Sequence, residues 1–171
     1  MSHFESSSAE KIHLEHEAAK LFMRQYEKRT GHEIRHIWHN QPMRPDVSCV
    51  LEGQRLDLEI AHLYGSEQEA MKILKRALTE KTRAELQAQA NFSDVDQRLL
   101  NALNRILLNK AQKRYKSKQV WLVIRNAHPA WTAKKITALQ HRIQVPFEHP
   151  FEQIWMVADM QGKSGIVQLF P

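Results

Sequence analysis

Apolar and polar positions alternate along the chain with two periods, one helical and one extended. From about Ala9 to Arg29 the apolar residues recur at helical spacing, with Leu14, Ala18, Leu21 and Phe22 on the inner stripe. Ser8 is a suitable N-cap and Gly31 a suitable stop. Ile34 to His39 reads as a strand, and the prolines at 42 and 45 make the next segment a loop. Two short apolar runs follow, Val47–Leu51 and Leu56–Ile60, separated by Glu52-Gly53-Gln54. Runs of this kind around a short glycine-containing break predict a β-hairpin. In the second run Leu56, Leu58 and Ile60 go to one face, and Asp57, Glu59 and Ala61 to the other.

Beyond the hairpin, Ser66 is an N-cap with Glu69 at the capping-box position. The helix it opens has Met71, Leu74, Ala77 and Leu78 as its stripe, and residues 82–91 form its projecting end or an arm. Ser93-Asp94 opens another helix, predicted to reach Lys116, with Val95, Leu99, Leu100, Leu103, Ile106, Leu107 and Ala111 inward. The continuous apolar run Gln119–Arg125 predicts a central strand. A short helix over Trp131–Ile143 and strands over Gln153–Ala158 and Gly165–Phe170 complete the chain, the last two joined by a turn at Gly162-Lys163-Ser164-Gly165. This order predicts an α/β fold, a mixed central sheet flanked by helices. One domain over residues 9–171 is expected, after a polar, serine-rich stretch at 1–8 that frays.

The hairpin also carries the candidate chemistry. Asp46 stands at the mouth of its first strand and Glu59 lies in its second, so pairing brings two carboxylates together, as a hard divalent cation requires. Pro45-Asp46, a hairpin, then Glu59-Ile60-Ala61 in an alternating strand resembles the PD-(D/E)XK nuclease superfamily, the restriction-endonuclease-like fold. The order helix, three strands, helix, strand over residues 9–125 fits the same α-β-β-β-α-β core. Ala61 stands where that family has lysine.

The resemblance implies metal-dependent hydrolysis of phosphodiester bonds in nucleic acid, DNA first, with Mg²⁺ or Mn²⁺ as cofactor. It implies Asp46 and Glu59 as metal ligands and catalytic residues. Asp57, a second carboxylate on the Glu59 face, and Glu17, the acidic residue of the first helix, are expected to assist in holding the metal. Many enzymes of this fold act as dimers, so a homodimer is within expectation. The alternative, favoured by Ala61, is an inactive member of the fold that binds nucleic acid or a protein partner.

A substitute for the lysine is legible in the next helix. Lys110 comes seven residues after Leu103 and four after Ile106, in line with the apolar stripe. A lysine among leucines needs an anion or a route to water. The hairpin carboxylates are the anion that the nuclease reading assigns it; the competing reading has the helix leaving the core before residue 110.

Charge agrees with a polyanionic partner. The 171 residues carry a formal net charge of +6, and Lys113, Arg114, Lys116 and Lys118 form a basic run suited to phosphates. One cysteine, Cys49, allows no internal disulfide and fits a cytosolic, reducing location. No apolar segment has membrane-spanning length, so no membrane partner is expected. Ten histidines lack zincin spacing, and neither a Gly-x-Ser-x-Gly elbow nor a P-loop is present.

Overall fold

The computed structural model describes residues 3–40, 45–65 and 95–171, with side chains from residue 9 onward. The expected helix from Glu67 with its Ser66 cap, the arm at 82–91 and the loop residues 41–44 lie outside the described residues.

Helix α1 spans His3–Thr30. It starts six residues earlier than the stripe implies, because no glycine or proline interrupts residues 1–30 and the serines at 6–8 cost a helix little. Gly31 ends it at φ +77°, its N–H donating to Glu27 O at 2.8 Å. Strand β1 (Ile34–His39) pairs antiparallel with β2 (Val47–Leu51), with an irregularity between Arg35 and Trp38 where His36 takes φ +61°. Strand β2 then pairs antiparallel with β3 (Gln54–Leu63). Their turn is only Glu52-Gly53, with φ +48° and +80°, the left-handed pair that a two-residue hairpin demands. Helix α2 (Val95–Ala111), strand β4 (Val120–Asn126), helix α3 (Ala133–Leu139) with a 3₁₀ turn at Gln140–Arg142, and strands β5 (Gln153–Val157) and β6 (Ile166–Phe170) follow.

The protein is thus α/β, with a six-stranded mixed sheet in the order β1-β2-β3-β4-β5-β6. Strands β3, β4 and β5 are parallel, and β6 is antiparallel at the edge. Helix α1 covers one face, where Ala18, Phe22, Met23 and Tyr26 pack on Leu56, Leu58, Ile60, Trp121 and Trp155. Helices α2 and α3 cover the other, where Leu99, Leu103, Leu107 and Ile136 pack on Leu122, Ile124, Ile154 and Met156. Each such side chain removed from water contributes about 1.5–3 kcal/mol. Every residue of β4 is buried, as the central position requires. Among the described residues no helix is long and apolar enough to cross a membrane.

Helix α2 ends at Ala111 rather than Lys116. The tertiary bonds of two residues beyond it account for the difference. Tyr115 and Ser117 turn their hydroxyls to carboxylates on β3, an interaction that outweighs helical propensity.

Candidate functional site

The site lies where β3 outruns β2. The ladder between them stops at Val47 opposite Leu58, so Asp46 falls beside Glu59 while β3 continues against β4 alone. The Ile60 N–H donates to Asp46 Oδ2 at 3.0 Å, so the carboxylate takes the place of the missing ladder partner. The Asn40 N–H donates to Asp46 O at 3.1 Å, and Asn40 Nδ2 donates to Pro45 O at 2.8 Å, which holds the Asp46 backbone against the end of β1.

Asp46 and Glu59 are hydrogen-bonded to each other through their carboxyl groups. Burial pushes the Asp46 carboxyl up to about 7, helped by the hydrogen bond and the charge of Glu59 and opposed by the Ile60 N–H. Burial also pushes Glu59 up, but the bond from Asp46, the Lys110 charge, the Tyr115 hydroxyl and Lys113 together hold it below the usual carboxylate range. The pair therefore holds one proton, on Asp46, below about pH 7 and gives it up as the pH rises through neutrality.

The cations come from α2 and just beyond it. Lys110 Nζ lies 3.3 Å from Glu59 Oε2, and Lys113 Nζ lies 3.8 Å from the same oxygen. The Lys110 side chain is 19% exposed, so its charge sits at the rim of the core, as its place in the α2 stripe requires. The Tyr115 hydroxyl donates to the same Glu59 oxygen; burial raises its pKa first, and the bond to Glu59 adds to it.

The other residues singled out in the sequence fall in different places. Asp57 shares the Glu59 face but is held in its own network. Its Oδ1 accepts from Ser48 Oγ at 2.5 Å and from Arg55 Nε at 2.9 Å, and its Oδ2 from Ser117 Oγ at 2.5 Å. Burial raises its pKa, and these bonds outweigh burial and lower it. Glu17 ion-pairs with the buried Arg125, at 3.3 Å from Nη2. The acidic residue of α1 whose charge reaches the pair is Glu15, 5% exposed and 3.5 Å from His39 Nε2. The buried stripe of α1 is 15, 18, 19, 22, 23 and 26, one step around the helix from the apolar count that began at Leu14. Arg114, Lys116 and Lys118 are exposed. His62 pairs in register with Arg125 and lies on the α1 face, away from Glu59, with its pKa pushed down to about 4 by burial and then by the Arg125 charge. Tyr115 had a faint signal in the sequence, as the lone aromatic in the basic run.

Among the described residues no group of three or more His, Cys, Asp or Glu is gathered as for a metal. Mg²⁺ needs less than that, because it takes one or two carboxylates and keeps several waters. Two hard carboxylates held against each other by a single shared proton fit such an ion, since a cation relieves the same repulsion that the proton does. No family model, no curated protein and no solved structure matches the chain.

Proposed function

We propose that the protein is a nuclease-like hydrolase that cleaves phosphodiester bonds of nucleic acid, DNA first, with Mg²⁺ or Mn²⁺ held by Asp46 and Glu59. The observation that carries this reading is the 3.3 Å approach of Lys110 Nζ to Glu59. A cation from α2 stands beside the carboxylate pair, while the strand position associated with it in the resembled family holds Ala61.

The metal, when bound, supplies Lewis acidity and charge at the phosphate. The chain supplies the rest. Lys110 and Lys113, at 3.3 and 3.8 Å from Glu59, would meet the negative charge that builds on phosphoryl oxygens of a phosphodiester bound there. Tyr115 fixes the rotamer of Glu59. Asp46, with its proton labile near neutrality, gives up that proton when a cation arrives. A reducing, cytosolic location is part of the proposal, with Cys49 a fully buried thiol.

A second reading, binding without cleavage, is favoured by Ala61 and by the two hydrogen-bond donors and the further lysine, Lys113 at 3.8 Å, already on one Glu59 oxygen. Incubation of the purified protein with DNA and RNA in Mg²⁺ or Mn²⁺ separates the two. Cleavage that disappears in both Asp46→Ala and Glu59→Ala supports hydrolysis. Salt-sensitive binding with no cleavage supports the second reading. No binding to either nucleic acid at low salt removes both.

A further inference from the structure

Around Asp57, two residues before Glu59 on β3, the described residues line an open cleft of about 590 Å³ whose walls include Arg55, Asp57, Lys116, Ser117 and Lys118. The hairpin turn delivers Arg55, and the loop that leaves α2 delivers the other wall. Both oxygens of Asp57 at the floor are engaged by Ser48, Ser117 and Arg55, so its charge is spent within the protein. Three cations against one carboxylate leave the wall at a formal +2, and the two lysines are exposed.

An aromatic platform adjoins this cleft. Trp38 pairs in register with Ser48, and Ser48 with Asp57, so the three side chains form a row on the face that also carries Glu59. Trp38 is 38% exposed, whereas Trp121, Trp131 and Trp155 are at most 3% exposed. The Arg55 guanidinium lies 5.6 Å from the Trp38 ring centroid, which ties the platform to the cleft. Residues two apart on a strand are about 7 Å apart, so Asp57 sets the cleft one short stride from Glu59.

We infer that this cleft is a second phosphate subsite, which holds a backbone phosphate of the strand bound at Glu59 while the neighbouring base stacks on Trp38. The inference rests on the reading that the substrate is a polynucleotide. A cationic wall with hydroxyl groups takes the phosphate, and the half-exposed indole takes any base on the π face that Arg55 does not cover. The site therefore selects a strand with unstacked bases, single-stranded or frayed, without reading its sequence.

The test uses the full chain with single-stranded oligothymidylate at low salt in EDTA, which separates binding from cleavage. Binding should quench the tryptophan emission, and Trp38→Phe should abolish that quench. The Lys116→Ala/Lys118→Ala variant changes only exposed side chains. It should weaken binding at least about tenfold and flatten the log–log salt dependence by about 1.4, the share of two phosphate contacts on a single strand. Unchanged affinity and slope in that variant overturn the subsite, as does an equal quench by inorganic phosphate or a mononucleotide at matched phosphate concentration. Cleavage in Mg²⁺ is scored separately. Wild-type cleavage with an unaltered KM in the double variant overturns the subsite and leaves the hydrolase reading standing. Quenching and salt-sensitive binding without any cleavage support the subsite and remove the hydrolase reading. No binding at low salt in EDTA overturns the subsite, and no cleavage or binding in Mg²⁺ either removes the hydrolase reading as well.

Discussion

Asp46→Asn should make the protein more stable at alkaline pH and, on the hydrolase proposal, abolish cleavage. Asp46 titrates at about 7 in the fold against 3.8 ordinarily. Between those values the folded state holds a proton that the unfolded chain releases, so stability falls steadily as pH rises from about 3.8 to about 7, and the loss is complete by about pH 8. The gap corresponds to on the order of 4 kcal/mol at about 1.4 kcal/mol per tenfold change in acidity. Screening by solvent at the half-buried site trims this to about 2–4 kcal/mol. Glu59 works the other way. Its lowered pKa gives stability that is present above 4.5 and lost as pH falls through the depressed value, outside the Asp46 window. Asparagine copies the protonated aspartic acid. Its oxygen accepts from the Ile60 N–H and its amide donates to Glu59, the two bonds Asp46 now makes. Thermal unfolding of both proteins at about pH 5 and pH 8 checks this. We expect the variant midpoint to lie above wild type at both, with the gap widening from a few degrees at the lower pH to about 5–15 °C at the higher. A wild-type midpoint that is flat between the two, or a variant no more stable than wild type at pH 8, would refute the shared-proton account.

Three further outcomes follow from the same contacts. Lys110→Met should lower the cleavage rate by about 10²–10³ with little change in KM, and should move the acid limb of the pH–rate profile upward as Glu59 loses its cation; an unaffected rate sinks the role given to Lys110. Asp57→Asn should cost about 1–3 kcal/mol in denaturant unfolding, because Ser48, Arg55 and Ser117 lose a charged acceptor. The wild-type contribution of Asp57 should itself fade only below 3.8, as pH falls through its lowered pKa. Leu103→Ala, at a fully buried position under the sheet, should cost about 2–5 kcal/mol, and a loss under 1 kcal/mol would contradict the packing of α2 described above.

Much of the fold was legible because local chemistry and tertiary need agree. Gly53 permits the left-handed turn and the alternation in β3 chooses its faces, so the hairpin and the side of Glu59 could be read directly. The unbroken apolar run of β4 announced a central strand. Lys110 could be read inward because the α2 stripe keeps helical phase through it. Other features depend on partners far away in the chain. Leu14 looks as apolar as a core residue, yet the stripe that packs on Trp121 and Trp155 begins at Glu15, which places Glu15 rather than Glu17 near the acidic pair. The early end of α2 is decided by what Tyr115 and Ser117 reach on β3, about which the helix itself carries no signal. Asp57 has the spacing of a ligand, and only the surrounding hydroxyls and Arg55 show that it is already engaged. The resemblance to the nuclease superfamily began from Asp46, Glu59 and the order of elements. Lys110, Lys113 and Tyr115 all reach Glu59, and of these contacts only that of Lys110 is announced by the apolar stripe of α2.

The most direct measurement is Mn²⁺ binding at about pH 7, followed by calorimetry in buffers of different ionisation enthalpy. One ion per chain should bind, with release of about half a proton at this pH as Asp46 deprotonates, and no such binding should occur in Asp46→Asn or Glu59→Gln. Binding of equal strength and proton release in both variants, or no binding in wild type, would contradict the account.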